Sequence, residues 1–488
     1  MTFNKLLIAN RGEIAIRIAR AASDLKINTV SMYSNDDKSS LHIRDTDETF
    51  QLDGNGVAGY LDIDNVIKIA RESGADSIHP GYGFLAENAE FAKRCQKEEI
   101  VFIGPNIETL ELFGDKGRAR LAAKDAGVPI PEGLEGPVTV ESASAFFNTL
   151  PQGSGMMLKA IAGGGGRGTR SISNSSEIER LFKRCQSEAK RSFGNADLYV
   201  EQLIENARHI EVQIIGDNFG NVTHLWEREC SIQRRYQKLV EVAPAPFITE
   251  SLRRKIIEAA MNLAKSVAYS NLGTFEFLAF QSTQSEYDSF VFIEGNARLQ
   301  VEHTVTEEVT GVDIVQSQIK LADGASLTEI GLDADKPTIV RGYAIQNRIN
   351  CETISGSGQI KPSTGKITTY TPPGGPGIRT DGYAYSGYET SMAFDSLIAK
   401  LICHSNSNSF LDAVTRSKRA LKEFEISGIE TNIEFHLKLM SHPDFLSGNI
   451  TTNFLDDNLP ELIPDRPSTN QNSVPARKTT DRGLTHTR

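Results

Sequence analysis

Several features that would settle a function class at sight are missing or scarce. Cysteine is one: Cys95, Cys185, Cys230, Cys351 and Cys403 are the only five in 488 residues. The number is odd and no pair has metal-ligand spacing, which argues against a zinc knuckle or a disulfide framework. It suits free, core-filling thiols in a reducing, cytoplasmic setting. No apolar run approaches the length of a membrane span, and the apolar residues 6–9 are too few for a signal-peptide core. Positive charge is in deficit, 52 Lys and Arg against 63 Asp and Glu, which disfavours a general nucleic-acid surface. The first strand-to-helix turn, Asn10-Arg-Gly-Glu13, lacks the dinucleotide glycine fingerprint, and the phosphate-loop pattern G-x-x-x-x-G-K-[ST] occurs nowhere.

What is present is a dense polar stretch, Phe292-Ile-Glu-Gly-Asn-Ala-Arg-Leu-Gln-Val-Glu-His303. Glu294, Asn296, Arg298, Gln300 and Glu302 fall on every second residue, so a continuous extended chain carries all of them on one face. Solvated faces commonly alternate in this way. Here the preceding residues 290–293 are apolar and predicted to be a buried strand, and buried carboxylates need a cation or paired donors. Glu294 and Asn296 can offer oxygens to a hard cation. Arg298 can hold a small oxyanion by its planar fork, and Glu302 remains available as a base. Residues 274–280 read as a second strand with Glu276 among aromatics, and residues 281–289 as a hairpin turn. Glu276 and Glu294 are then neighbours able to converge on Mg²⁺.

Along the rest of the chain, residues 5–9, 29–33 and 76–78 read as strands and 14–22 as a helix, the βαβ pattern of a doubly wound α/β unit. His79-Pro-Gly-Tyr-Gly83 is a glycine turn, either a ligand loop or a tight connection, with a helix expected from Glu87. Lys116 stands near the start of another helix, where the dipole prefers an anion. A bound phosphate resolves that conflict, and an exposed lysine is the plainer reading. Lys159 lies in a strand, 156–160, that leads into Gly163, Gly164, Gly165 and Gly166, whose backbone can approach phosphate closely. Residues 198–204 form a strand with a polar middle suited to an adenine edge. Residues 209–215 alternate as a half-buried strand, and the basic residues 231–238 read as a local phosphate site. From Thr338 a third, α+β module follows, with Arg348 in a strand over 340–350, another strand over 396–403 and an amphipathic helix over 411–425. After Ile463 the composition is that of a disordered tail or linker. The expected division is 1–114, 115–330, 331–458 and a tail 459–488.

Together these motifs resemble the biotin carboxylase component of biotin-dependent carboxylases, an ATP-grasp family. The resemblance rests on Ala9-Asn-Arg-Gly-Glu-Ile-Ala15, His79-Pro-Gly-Tyr-Gly-Phe-Leu-Ala-Glu-Asn88, the glycine run, Cys230-Ser-Ile-Gln-Arg-Arg235 and the centre from Asn296 to His303. It implies an N-terminal doubly wound domain, a central ATP-grasp domain and a C-terminal biotin carboxylase domain. It further implies that Lys116 and Lys159 contact nucleotide phosphates and that Gly163 to Gly166 form a mobile lid. Glu201 and Ile204 correspond to the adenine site, and His209 and Gln233 line the nucleotide. Lys238 is placed where phosphate and bicarbonate meet. Glu276, Glu294 and Asn296 correspond to ligands for Mg²⁺ or Mn²⁺. Arg298, Gln300 and Val301 match the bicarbonate pocket, Glu302 the general base and Arg348 the partner of the biotin enolate. The sequence departs from the family at Thr169, Gln202, Tyr236 and Phe394-Asp-Ser-Leu397.

The implied reaction is carboxylation of biotin by ATP and bicarbonate through carboxyphosphate. The implied partners are a biotin carboxyl carrier protein or domain, a carboxyltransferase and a second copy of the chain, with no nucleic acid and no membrane. Biotin attachment in the family uses a Met-Lys-Met context, and no lysine here is followed by methionine, so the biotin is expected elsewhere. Two other readings are an ATP-grasp ligase of the carbamoyl-phosphate or purine type and a non-catalytic carboxylase subunit. The first does not account for the run Arg298 to His303 or for the module with Arg348. The second is disfavoured because every expected catalytic position is filled.

Overall fold

The computed structural model describes residues 3–161, 168–281, 287–355 and 359–463. Gly163 to Gly166, part of the turn between Glu276 and Glu294, and the chain after Ile463 lie outside the described residues. Among the described residues no helix is long and apolar enough to cross a membrane.

Strands β1 (Lys5–Ile8), β2 (Asn28–Tyr33), β3 (Glu48–Gln51), β4 (Ser77–His79) and β5 (Val101–Phe102) form a parallel sheet in the order β3-β2-β1-β4-β5. The sheet is buried on both faces, as parallel sheets are: Leu6 and Ile8 enter one apolar cluster and Leu7 another. The strand order reverses between β1 and β4, and doubly wound sheets take ligands outside the carboxyl ends at such a point. Here that crevice holds Asn10 and the 79–83 turn. The Asn10 amide donates to the carbonyls of Pro80 at 2.7 Å and Tyr82 at 2.8 Å. Gly81 has φ of +65°, and a Cβ there would lie 2.8 Å from the Asn10 amide nitrogen, so glycine is required. A G-x-G-x-x-G spacing does occur at Gly54, Gly56 and Gly59, but it follows the edge strand β3, away from the crevice. The helix after the 79–83 turn is Ala89–Lys97, capped by Asn88. It therefore starts later than predicted and leaves Glu87 in the loop.

Strands β6 (Met156–Ala160), β7 (Thr169–Ile172) and β8 (Leu198–Gln202) make a small antiparallel sheet, ordered β7-β6-β8, with its own core against helices Val140–Phe147 and Ile178–Phe193. The largest sheet contains β9 (Arg208–Gly216), β10 (Val222–Arg234), β11 (Gln237–Ala243), β12 (Asn271–Phe280), β13 (Ser289–Asn296), β14 (Tyr343–Asn350) and strands Ile378–Gly382 and Leu397–Ser405. Its order is β13-β12-β9-β10-β11-β14, then Leu397–Ser405 and Ile378–Gly382.

The central and C-terminal regions share this sheet, because β11 pairs antiparallel with β14. Two expectations are corrected. Strand β9 is buried on both faces, not half-buried. Ile210, Val212 and Ile214 join the core that includes helix Glu250–Ser266, while His209, Glu211 and Gln213 lie beneath other polar side chains. The predicted tail also begins too early: helix Phe454–Leu462 closes the C-terminal core, with Leu455 and Leu462 both buried.

Candidate active site

A cavity of about 620 Å³ opens between the small sheet, the large sheet and the 79–83 turn. Its walls include apolar side chains, Met157, Leu203, Ile204 and Leu278, and the polar residues singled out by sequence. The five alternating residues all reach it, but not as one extended face. Strand β13 ends at Asn296, the chain then turns, and Glu302 is the N-cap of helix His303–Thr310. Arg298, Gln300 and Glu302 are therefore brought in by a loop.

Glu276 and Glu294 face each other in register across β12 and β13, as the hairpin reading required. Lys116 is the first residue of helix Lys116–Asp125, and Asp115 caps that helix by accepting from the Arg118 amide at 3.0 Å. Its ammonium crosses to Glu294 at 2.5 Å. The lysine is thus paired rather than exposed. Lys159 and Arg120 close on the buried Glu201 carboxylate, Arg120 at 2.7 Å. Arg298 donates to Glu87 at 2.8 Å, to Gln300 at 2.9 Å and to Asn296 at 3.0 Å, so its fork is held by neighbours. Val301 lines the cavity beside it.

The 231–238 segment is a hairpin. Arg235 and Tyr236, both at positive φ, turn between β10 and β11, the left-handed geometry of a two-residue connection. The turn delivers Lys238 into a cage of carboxylates: Glu211 at 2.5 Å, Glu302 at 2.6 Å and Glu276 at 3.0 Å. His209 meets Glu276 at 2.7 Å through Nε2 and Gln233 at 3.3 Å through Nδ1. Arg348, on the interior strand β14, donates to Glu241 at 2.6 Å and to Glu302 at 3.1 Å.

Burial alone would push these carboxyls toward neutrality; the cations decide otherwise. Lys238, Arg348 and Arg228 outweigh burial at Glu302 and hold its pKa far below the ordinary range. Lys238 and His209 do the same for Glu276, and Lys116 lowers Glu294. Glu241 goes the other way: burial wins over Arg348, and the charge on Glu302 adds to it. Burial, with Glu211 adding to it, raises the Cys230 thiol well above normal, which leaves it a protonated filler.

Two ionised carboxylates opposed in register on the cavity wall are a hard-oxygen set that fits Mg²⁺ or Mn²⁺. The Asn296 carboxamide donates to Glu276 at 2.8 Å and its oxygen accepts from Arg298, so that oxygen would exchange Arg298 for a cation. A second set, His209, Glu211 and Glu276, has ligand atoms within 4.8 Å of one another, but the Lys238 ammonium already bridges its two carboxylates.

Sequence reasoning missed Glu87, Glu211, Arg228 and Glu241. Arg228 is fully buried and meets Glu211 at 2.5 Å. For the three strand residues the available signal was charge set among strand-forming residues, visible in Ile210-Glu-Val212, Glu227-Arg-Glu229 and Val240-Glu-Val242.

Three family models match the chain in succession. They are the biotin carboxylase N-terminal domain over residues 2–110, the carbamoyl-phosphate synthase L chain ATP binding domain over 115–330 and the biotin carboxylase C-terminal domain over 346–457. Biotin carboxylase 1 of Bacillus subtilis is 45% identical over 454 residues, covering 93% of this chain and 98% of that protein. Pyruvate carboxylase of Staphylococcus aureus is 47% identical over 470 residues, covering 95% of this chain. The chain spans 40% of the length of that pyruvate carboxylase. Among solved structures, the biotin carboxylase domain dimer of Hydrogenobacter thermophilus 2-oxoglutarate carboxylase, in complex with MgADP, ADP and bicarbonate, superimposes with a TM-score of 0.89 at 41% identity. That match covers 96% of this chain and 100% of the other. The chain belongs to the biotin carboxylase family.

Proposed function

We propose that this chain carboxylates biotin with ATP and bicarbonate, the first half-reaction of a biotin-dependent carboxylase. The observation that carries the reading is the position of Glu302. One of its oxygens faces Lys238 at 2.6 Å and the other faces Arg348 at 3.1 Å. A single buried carboxylate thus stands between a cation suited to phosphate and bicarbonate and a cation suited to an enolate.

The lysines and Arg298 rest on carboxylates, so each can trade a protein anion for a substrate anion without baring a buried charge. Lys116 and Lys159 bind the nucleotide phosphates, and Ile204 with Glu201 borders the base. Mg²⁺ held by Glu276 and Glu294, with Asn296, would neutralise and align the phosphates. Arg298, Gln300 and Val301 hold bicarbonate beside Lys238. Glu302 takes the bicarbonate proton as a bicarbonate oxygen attacks the γ-phosphorus and ADP leaves. Its depressed pKa keeps it ionised, and it gains basicity once the substrates engage Lys238 and Arg348. The carboxyphosphate splits into CO₂ and phosphate, and the phosphate takes the biotin N1′ proton. The enolate, with its oxygen on Arg348, then attacks CO₂.

The biotin belongs to a separate carrier protein or domain, and a carboxyltransferase uses the product. A homodimer in the cytoplasm fits this role, and the five buried free thiols support a reducing compartment. The proposed division keeps boundaries near 114 and 331, with the C-terminal region extended through Leu462. The test is bicarbonate-dependent ATP turnover with and without free biotin. Stimulation by biotin supports the reading, and indifference to biotin points to a different ATP-grasp ligase. A streptavidin blot of the purified chain, made alongside active biotin ligase, should be blank.

A further inference from the structure

Lys400 is completely buried in strand Leu397–Ser405 and stands directly across from Arg348 in the antiparallel register. Like charges opposed in a sheet repel, and a buried ammonium is costly to desolvate. Arg348 is neutralised by Glu241 and Glu302. Asp381, across from Lys400 on the other neighbouring strand, is committed to Arg379 at 2.8 Å. Lys400 finds its counter-charge in the first domain, on Glu13 at 3.1 Å. Its other donation goes to the main-chain carbonyl of Val301 at 3.0 Å. The carbonyl just before it, on Gln300, is held by His303 Nδ1 at 2.8 Å. Two successive carbonyls of the 297–302 loop are therefore tied to buried side chains. Glu13 also accepts the phenol of Tyr82, which lines the cavity.

We propose that Lys400 is a positioning residue for the oxyanion end of the cavity. By holding the Val301 carbonyl it fixes the loop that carries Arg298, Gln300 and Glu302, and through Glu13 it sets Tyr82 on the facing wall. One ammonium thereby aligns parts of the N-terminal, central and C-terminal regions around the same pocket. Among the described residues, the partners of Lys400 are Glu13, Val301 and the Tyr82 ring, and none lies in β6, β8 or helix Lys116–Asp125, which build the nucleotide end. This inference rests on bicarbonate binding at that loop.

Lys400→Met alone would leave Glu13 buried beside no cation and endanger folding. The test therefore compares two charge-neutral double variants, Glu13→Gln with Lys400→Met and Glu13→Gln with Lys400→Gln. They are similar in size and differ in whether residue 400 can donate to Val301. Steady-state kinetics with free biotin should give a KM for bicarbonate about tenfold higher in the methionine variant than in the glutamine variant, with the KM for ATP within about twofold. Equal bicarbonate KM values in the two variants, or a parallel rise in the KM for ATP, would overturn the role of Lys400. A wild-type chain whose ATP turnover ignores bicarbonate and biotin would instead overturn the functional reading beneath it.

Discussion

Two dense charge networks flank the helix His303–Thr310, and they differ in kind. The first surrounds the cavity: Lys238 among Glu211, Glu276 and Glu302, with Arg348 bridging Glu241 and Glu302. The second lies around Glu307. There Arg17 meets Glu307 at 2.8 Å and Asp313 at 2.6 Å, while Arg379 meets Glu307 at 2.7 Å and Asp381 at 2.8 Å. Burial opposes the charge of Glu307, yet His303, Arg17 and Arg379 hold its pKa down to about 2. By shifted pKa alone, the two networks are equivalent. What marks the first is the cavity beside it, lined by Lys238, Glu276, Glu302 and Arg348. Perturbed titration marks crowded charge, and only adjacent space makes it a site.

The sharpest way to break this contrast is to remove one carboxylate from each network. Glu302→Gln should keep ATP binding and cost at least ~100-fold in biotin carboxylation. Glu307→Gln should leave the rate within about twofold and lower unfolding free energy by about 1–3 kcal/mol. Near-normal turnover in Glu302→Gln would end its assignment as the base.

Next in size, Glu276→Gln and Glu294→Gln should each raise the Mg²⁺ needed for half-maximal ATP turnover by about tenfold. Because both act on one site, the double variant should cost less than the sum of the singles. Full additivity would place the two carboxylates at independent sites.

Acid should probe what lies outside both networks' cations. Burial lowers His42, His224 and His436 to about 4 and His79 to about 3. The unfolded chain takes up these protons near pH 6.5 while the folded chain refuses them. Stability is therefore full above that pH and falls as pH drops toward 4, by up to ~1.4 kcal/mol per pH unit for each histidine. Urea midpoints measured from pH 7 to 4.5 should fall steadily, and a flat profile would contradict the buried neutral state. The smallest effect is expected at Glu87, which steadies the guanidinium of Arg298. Glu87→Gln should raise the KM for bicarbonate about threefold without changing that for ATP. An unchanged bicarbonate KM would make the pair incidental.

Local patterns carried much of this structure. The apolar run of β1, the alternating residues of β2, the hairpin that opposes Glu276 to Glu294 and the strand bearing Lys159 were all legible, because period and turn chemistry are local properties. Glu211, Arg228 and Glu241 were not. Glu211 and Glu241 alternate with apolar neighbours as solvated strand residues would, and Arg228, between Glu227 and Glu229, sits in a run of charge that reads as solvated. The sheet order, which places β9, β10, β11 and β14 side by side, is what shows that their common face is roofed by the loop carrying Glu302. The span from Asn296 to Glu302 misled in the opposite sense. Its period of two suggested one continuous strand, whereas the chain leaves the sheet at Asn296 and reaches the same place by turning.

The pairing of β11 with β14 bears on how such chains can be recombined. A C-terminal segment exchanged between relatives near residue 331 would not arrive as a finished bead. It would bring strands that must zip onto the host's β11, with Val240 opposite Asn347 and Glu241 opposite Gln346. A register slip of one residue would turn Arg348 away from Glu302 and into the apolar core. The unit that can be transplanted intact is therefore the whole eight-stranded sheet, whereas the small β6–β8 sheet, which is not hydrogen-bonded into it, can be exchanged by itself provided that it brings Lys159 and Glu201.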